Sequence, residues 1–349
     1  MRTLVISDLH LGNRARHDVL RRPAPLARLL EVLDDVDRLV LLGDLAELIT
    51  RSPRRSLAAA EPVLRALGTR MGSGREVILV PGNHDAPLIR AWARAQGAQL
   101  GIADAVDPNV TRALARVVSW LGPSSVRVHY PGVWLTERIW ATHGHYLDHH
   151  LIPQSPIGLP RGPLAHRPAR AALALEYERG RIRSHHSRDA FLTRALQRPL
   201  TTLAEIMAEL ARAAMLPHVP RMLMHARLAP VTAAMIDVQM RHAALPALAR
   251  VLARLGVQAD WVVFGHVHRL GPLISDRQTH WRAGDHGPRL LNSGSWLYDP
   301  LLVDRARIPH PYWPGGAVLI ESGSEPRPVG LLDDLGPGDL RGGPGAGAP

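Results

Sequence analysis

The amino-acid sequence predicts an α/β core interrupted, late in the chain, by an all-helical insertion. Three observations carry this. Short apolar runs alternate with helical patterns through the first part of the chain. The composition changes between about residues 150 and 245. Asp, Asn and His residues recur directly after apolar runs on both sides of that change. At 349 residues the chain is long for one domain and short for two large ones, so a core with an inserted subdomain fits its length. Hydrophobic residues make up 46% of it, enough for a sizeable core, and with only 4% aromatics that core must be built from Leu, Val, Ala and Ile.

Thr3 to Ser7, Arg38 to Leu42 and Glu76 to Val80 are runs of strand length rich in Val, Ile and Leu. Between them, Pro25 to Val36 and Leu57 to Leu67 carry apolar residues at helical spacing, which predicts strand-helix-strand units around a central sheet. Further strands are expected at Ser125 to His129, Arg138 to Thr142, Trp261 to Gly265, Arg289 to Asn292 and Ala317 to Glu321. Pro153, Pro156, Pro160, Pro163 and Pro168 then punctuate an irregular stretch, followed by helical patterns as far as Met240, and Leu151 to Pro230 holds 12 Arg against five acids. The organisation expected is core at 1–149, helical insertion at 150–245, core again at 246–332, and a Gly/Pro-rich disordered tail at 333–349.

The net charge is +11, and every one of the 42 basic residues is arginine. Arg, Ala, Pro and Gly are all abundant, as GC-rich codons favour, so the sign of the charge supports an anionic partner only weakly. No basic stripe interleaved with aromatics is present, which argues against nucleic acid as the partner. The absence of cysteine removes disulfides, thiolate nucleophiles and Cys-ligated zinc. A strand-like run leads straight to Asp8 with no signal-peptide pattern before it, and no apolar run reaches the roughly 20 residues needed to span a bilayer. A cytoplasmic protein, with peripheral contact to a membrane as an option, is the expectation.

The chemistry-bearing residues sit where strands end. Asp8 and His10 follow the first strand, Asp44 the second, and Asn83, His84 and Asp85 the third. His143 and His145 follow the strand ending at Thr142, and His266 and His268 the strand at Trp261. In an open α/β sheet such positions converge on one crevice. Imidazole and carboxylate without thiolate suit Mn, Fe or Zn. A spacing of two in Asp8-x-His10 and His266-x-His268 puts each pair on one face if the backbone is extended. Glycines before Asp44, Asn83 and His266 allow tight turns and close approach.

Together these blocks resemble the signature of the calcineurin-like metallophosphoesterase superfamily: Ile6-Ser7-Asp8-Leu9-His10, Leu42-Gly43-Asp44-Leu45-Ala46-Glu47, Gly82-Asn83-His84-Asp85, Thr142-His143-Gly144-His145 and Gly265-His266-Val267-His268. The resemblance covers about 1–149 and 246–330. It implies two packed mixed β-sheets flanked by helices, and two divalent metal ions, manganese first with Fe, Zn or Mg as alternatives. One ion would be held by Asp8, His10, Asp44 and His268, the other by Asp44, Asn83, His143 and His266. His84 would stand over the cleft as a catalytic residue oriented by Asp85, and a hydroxide formed on the metals would attack phosphorus directly. His145 would contact substrate or a ligand.

Within the superfamily, Gly-Asp-Leu-x-Glu at Gly43 to Glu47 and Asn292-Ser293-Gly294-Ser295-Trp296 resemble the branch of UDP-2,3-diacylglucosamine hydrolase. That points to a phosphodiester or pyrophosphate bond in a nucleotide-like or lipid-linked substrate, with a phosphomonoesterase or a nuclease of the same fold as alternatives. His145 stands where that branch usually has Asp, so its particular substrate does not carry over. The insertion, with Met207, Met215, Met222, Met224 and Met235, is read as a subdomain on the core or a lid over an acyl chain.

Overall fold

In the computed structural model the residues described are 1–50, 52–151, 174–178, 233, 236–237, 240–304 and 306–341. The chain divides into two compact units. One comprises Met1–His145, Val257–Asp299 and Arg307–Pro349, the other Tyr146–Gly256 and Pro300–Ala306. The second unit thus begins slightly before the expected 150–245 insertion, runs on through the helix that ends before Gly256 and adds Pro300–Ala306, and the methionines read as part of a lid lie outside the described residues.

The first unit opens with β1 (Arg2–Ile6), α1 (Pro23–Val32), β2 (Arg38–Leu41), α2 (Pro53–Met71), β3 (Glu76–Leu79), α3 (Ala86–Gln96), β4 (Asp104–Ala105), α4 (Arg112–Leu121) and β5 (Ser125–Tyr130). Helix α2 outruns the Leu57-to-Leu67 pattern because Pro53 occupies a first-turn position where its missing N–H costs nothing, and Gly72, at φ +64°, stops the far end. Helix α4, not expected from periodicity, is capped by Thr111, whose hydroxyl accepts from the Leu114 N–H at 3.1 Å. β6 (Gly132–Thr136) and β7 (Ile139–Thr142) follow. After α5 (Leu245–Leu255), which groups with the second unit, come β8 (Trp261–Phe264), β9 (Leu270–Gly271), β10 (Arg289–Ser293), β11 (Gly316–Glu321) and β12 (Arg327–Gly330).

These strands form two mixed sheets, seven strands in the order β12-β11-β1-β2-β3-β5-β4 and five in the order β6-β7-β8-β10-β9. β1, β2, β3 and β5 run parallel in the first, and β7, β8 and β10 in the second. Val5, Val40, Ile78, Val318 and Ile320 from one sheet meet Val133, Ile139, Ala141, Val263 and Leu291 from the other in a single apolar layer. The fold is therefore the α/β sandwich with helices flanking two mixed sheets. Burial of each aliphatic side chain in that layer contributes about 1.5–3 kcal/mol. Its parallel strands all end at one rim, which is where the chemistry collects.

The tail departs from expectation. Pro337–Leu340 forms a helical turn, and Leu340 is buried, so the first part of 333–349 is packed; residues 342–349 lie outside the described set. The buried Leu340 supplies an apolar anchor that the Gly/Pro content masked. Among the described residues no helix is long and apolar enough to cross a membrane.

Candidate metal centre

The rim is assembled by loops that continue the strand ladder after the strands end. Asp8 N–H donates to Gly43 O at 3.0 Å, His10 N–H to Asp44 O at 2.8 Å, and Trp296 N–H to Asp8 O at 3.1 Å, while Gly265 N–H reaches His143 O at 3.1 Å. Asp8, His10, Asp44, His266 and His268 all have positive φ, between 43° and 68°. The extended geometry assumed for the two x-spaced pairs is therefore absent. Each residue turns into the left-handed region, at about 1–3 kcal/mol apiece, and the ladder bonds hold it there. The turned backbone, rather than a shared strand face, is what aims these side chains at a common point. Of the three glycines, only Gly43 needs its conformation (φ +87°). Gly82 and Gly265 are required by closeness, since a Cβ on Gly265 would lie 2.6 Å from Asp8 Oδ2 and one on Gly82 2.8 Å from His143 Cδ2.

Three overlapping groups, Asp8–His10–His268, His10–Asp44–His84 and Asp44–His143–His266, each bring their donor atoms within 4.8 Å of one another. His268 Nε2 lies 3.1 Å from Asp8 Oδ1 and 3.2 Å from His10 Nε2. Asp44 Oδ2 lies 3.2 Å from His143 Nε2 and 3.6 Å from His10 Nε2, so this one carboxylate reaches both sides. Asn83 Oδ1 stands 3.1 Å from His143 Nε2. All seven expected ligands, Asp8, His10, Asp44, Asn83, His143, His266 and His268, thus gather in one place. Asp8 Oδ1 is buried with no well-aligned hydrogen bond, only the His268 imidazole facing it at 3.1 Å, and a cation between the two would meet both donors. With its oxygen and nitrogen donors and no sulfur, the set fits divalent ions.

The electrostatics agree. Burial works against the Asp8 carboxylate, but the facing His268 holds its pKa at about 2. Burial likewise opposes charge on His143, yet Asp44 lifts it to about 9. Burial also opposes charge on Asp44, and His143 outweighs it to keep that carboxyl well below its usual range. The cluster therefore attracts positive charge, which protons supply on the imidazoles and which a cation would supply by displacing them.

One expected role is corrected. Asp85 does not reach the His84 ring: its oxygens accept from the backbone N–H groups of Leu45, Ala46 and Gly82 at 3.0, 3.1 and 3.1 Å. Being fully buried among unpaired amides, it fastens the second block to the third. The carboxylate that meets His84 is Glu47, with Oε1 2.6 Å from Nδ1, while Glu47 Oε2 lies 3.3 Å from His10 Nδ1. Glu47 figured in the sequence only as a mark of one branch; its position three residues after Asp44 was the available signal. Ser7, Asn292 and Ser293 were also missed as supports. Ser7 Oγ donates to Asp8 and meets Ser293 Oγ at 2.8 Å, and the Asn292 amide donates to Gly265 O at 2.7 Å. His145 is buried beside the ligands, its ring 5.5 Å from that of His143 and its Nε2 3.4 Å from the Tyr130 hydroxyl, but it joins none of the three groups.

Fold and site together define a metal-dependent phosphoric ester hydrolase. The family model described as calcineurin-like phosphoesterase matches residues 1–172, just under half of the chain and spanning the first four blocks, which supports the superfamily resemblance. Members of this family use divalent metals. No curated protein matches the chain.

Proposed function

We propose that the chain hydrolyses a phosphodiester or pyrophosphate bond by in-line attack of water, with two divalent ions and no covalent phospho-enzyme. The observation that carries this is Asp44, whose Oδ2 lies between His10 and His143 at 3.6 and 3.2 Å, as a carboxylate shared by two cations would. Asp8, His10, Asp44 and His268 would hold one ion, and Asp44, Asn83, His143 and His266 the other. Bound there, the ions would supply charge for the phosphoryl oxygens and acidify the attacking water.

The chain's own groups do the rest. His84 is part-exposed at the site, and its Nδ1 is tied to Glu47. That fixes the ring with Nε2 4.0 Å from Asp44 Oδ2, at the centre, where it would give a hydrogen bond or proton to a phosphoryl or leaving-group oxygen. Burial opposes charge on His84, but the hydrogen bond to Glu47 raises its pKa above the usual value, which suits a donor at neutral pH. Glu47 replaces Asp85 as the residue that orients it.

The motifs at Gly43 to Glu47 and Asn292 to Trp296 resemble the UDP-2,3-diacylglucosamine hydrolase branch, and on that resemblance the substrate proposed is a nucleotide-like or lipid-linked phosphate. Asn292 and Ser293 brace the first and fifth blocks, so their presence speaks for a shared site more than for a shared substrate. The test is hydrolysis of bis(p-nitrophenyl) phosphate against p-nitrophenyl phosphate by protein supplied in turn with Mn, Fe, Zn and Mg. Faster diester cleavage is expected; faster monoester cleavage would move the reading to a phosphomonoesterase.

A further inference from the structure

Between the loop that follows His10 and the start of α2 lies an open cavity of about 420 Å³ lined by Arg14, Thr50, Ser52 and Arg55. Both of its walls are tied to the site. Arg14 stands four residues beyond His10 in the same loop. Thr50 donates its N–H to Glu47 Oε1 at 3.2 Å, the oxygen that also meets His84. The two walls pack against one another at Gly12. Gly12, at φ +83°, packs so closely on α2 that a Cβ there would lie 2.7 Å from Ser56 Cα.

The lining is chemically one-sided. Arg14 and Arg55 are exposed, and among the described residues neither makes an ion pair or a side-chain hydrogen bond. Some surface arginines are compensated, Arg65 and Arg116 by Glu61 and Arg127 by Glu76, whereas others such as Arg90 and Arg112 are not, among the described residues; what sets Arg14 and Arg55 apart is that they line one concavity. No carboxylate lines the cavity among the described residues, while Thr50 and Ser52 add hydroxyls. Two uncompensated guanidinium forks in one concavity focus positive potential, and their geometry matches the paired oxygens of phosphate.

We propose that this cavity is a second anion subsite that takes a phosphate group other than the one hydrolysed, so that the natural substrate carries at least two phosphates. The inference rests on the phosphoesterase reading and narrows its substrate class. The Thr50 N–H joins the cavity wall to Glu47, so a phosphate seated here would bear on the Glu47–His84 side of the centre and on which bond is presented there.

The test is competition against turnover of bis(p-nitrophenyl) phosphate by the full chain with manganese. The inhibitors are ethyl phosphate and a series of alkane diol bisphosphates with ethane, butane and hexane spacers, the series being needed to find the matching span. One spacer is expected to inhibit at least about tenfold more tightly than ethyl phosphate. Arg14→Gln/Arg55→Gln should remove most of that advantage; both side chains are exposed, and an unchanged thermal melt confirms folding. Three results overturn the subsite: no spacer better than ethyl phosphate; an advantage that survives in the double variant; or inorganic phosphate and ethyl phosphate binding together synergistically with no gain from any tether, which marks a free-phosphate site. Absence of any ester turnover in the wild-type protein would instead remove the phosphoesterase reading, and the subsite with it.

Discussion

His10 and His143 are both buried imidazoles offering Nε2 to the centre, yet their other nitrogens are held by different means. His143 Nδ1 lies 3.0 Å from the Leu42 carbonyl, a backbone group at the end of β2. His10 Nδ1 faces the side chain of Glu47, which also holds His84. One half of the centre is therefore fixed by the sheet itself, the other by a carboxylate shared with the cleft histidine. The difference teaches that changes near Glu47 should reach both metal affinity and proton donation, whereas the His143 half should respond chiefly to ligand loss or backbone damage.

The largest effect tests what the halves have in common. Asp44→Ala removes the carboxylate that reaches both and should lower turnover by on the order of 10³-fold or more, with loss of bound metal by elemental analysis. His84→Ala should cost about 10²–10⁴-fold in kcat while metal content stays as in the wild type. Glu47→Gln sharpens the comparison. It should weaken one metal step by about 10–100-fold in a titration, leave the other near its wild-type value and lower kcat as well. Equal weakening of both steps would break the asymmetry. Combined with His84→Ala, the Glu47→Gln loss in kcat should be less than additive, because Glu47 acts on that ring. Ser293→Ala, which removes a buried support of Ser7, should have the smallest effect, about 0.5–1.5 kcal/mol in chemical denaturation and under about tenfold in turnover.

Much of this was legible in the sequence because the ligands follow runs of Val, Ile and Leu that could only be strands. β1, β2, β3 and β8 lie within a residue or so of the expected runs, and their ends bring Asp8, Asp44, Asn83 and His266 together. What could not be read was the backbone between ligands. The left-handed turns at Asp8 and His10 depend on ladder bonds to Gly43 and Asp44, and such long-range pairing leaves no periodic mark. The exchange of roles between Asp85 and Glu47 has the same origin. Asp85 directly follows His84 and Glu47 stands three residues after Asp44, and only folding decides that Asp85 turns to amides while Glu47 turns to imidazoles. His150 is buried with Nε2 2.9 Å from the Tyr177 hydroxyl, a partner distant in sequence that no local pattern announces. Leu340 was hidden similarly, being one apolar residue in a Gly/Pro-rich end.

The central claim, a binuclear centre that cleaves phosphate esters, is tested most directly by counting metal and activity on one sample. Protein stripped with chelator and reloaded with manganese should hold two ions per chain and hydrolyse bis(p-nitrophenyl) phosphate only when loaded, and Asp44→Ala should hold at most one ion and be inactive. Equal turnover after stripping, or a wild-type chain that binds no metal, would contradict the account.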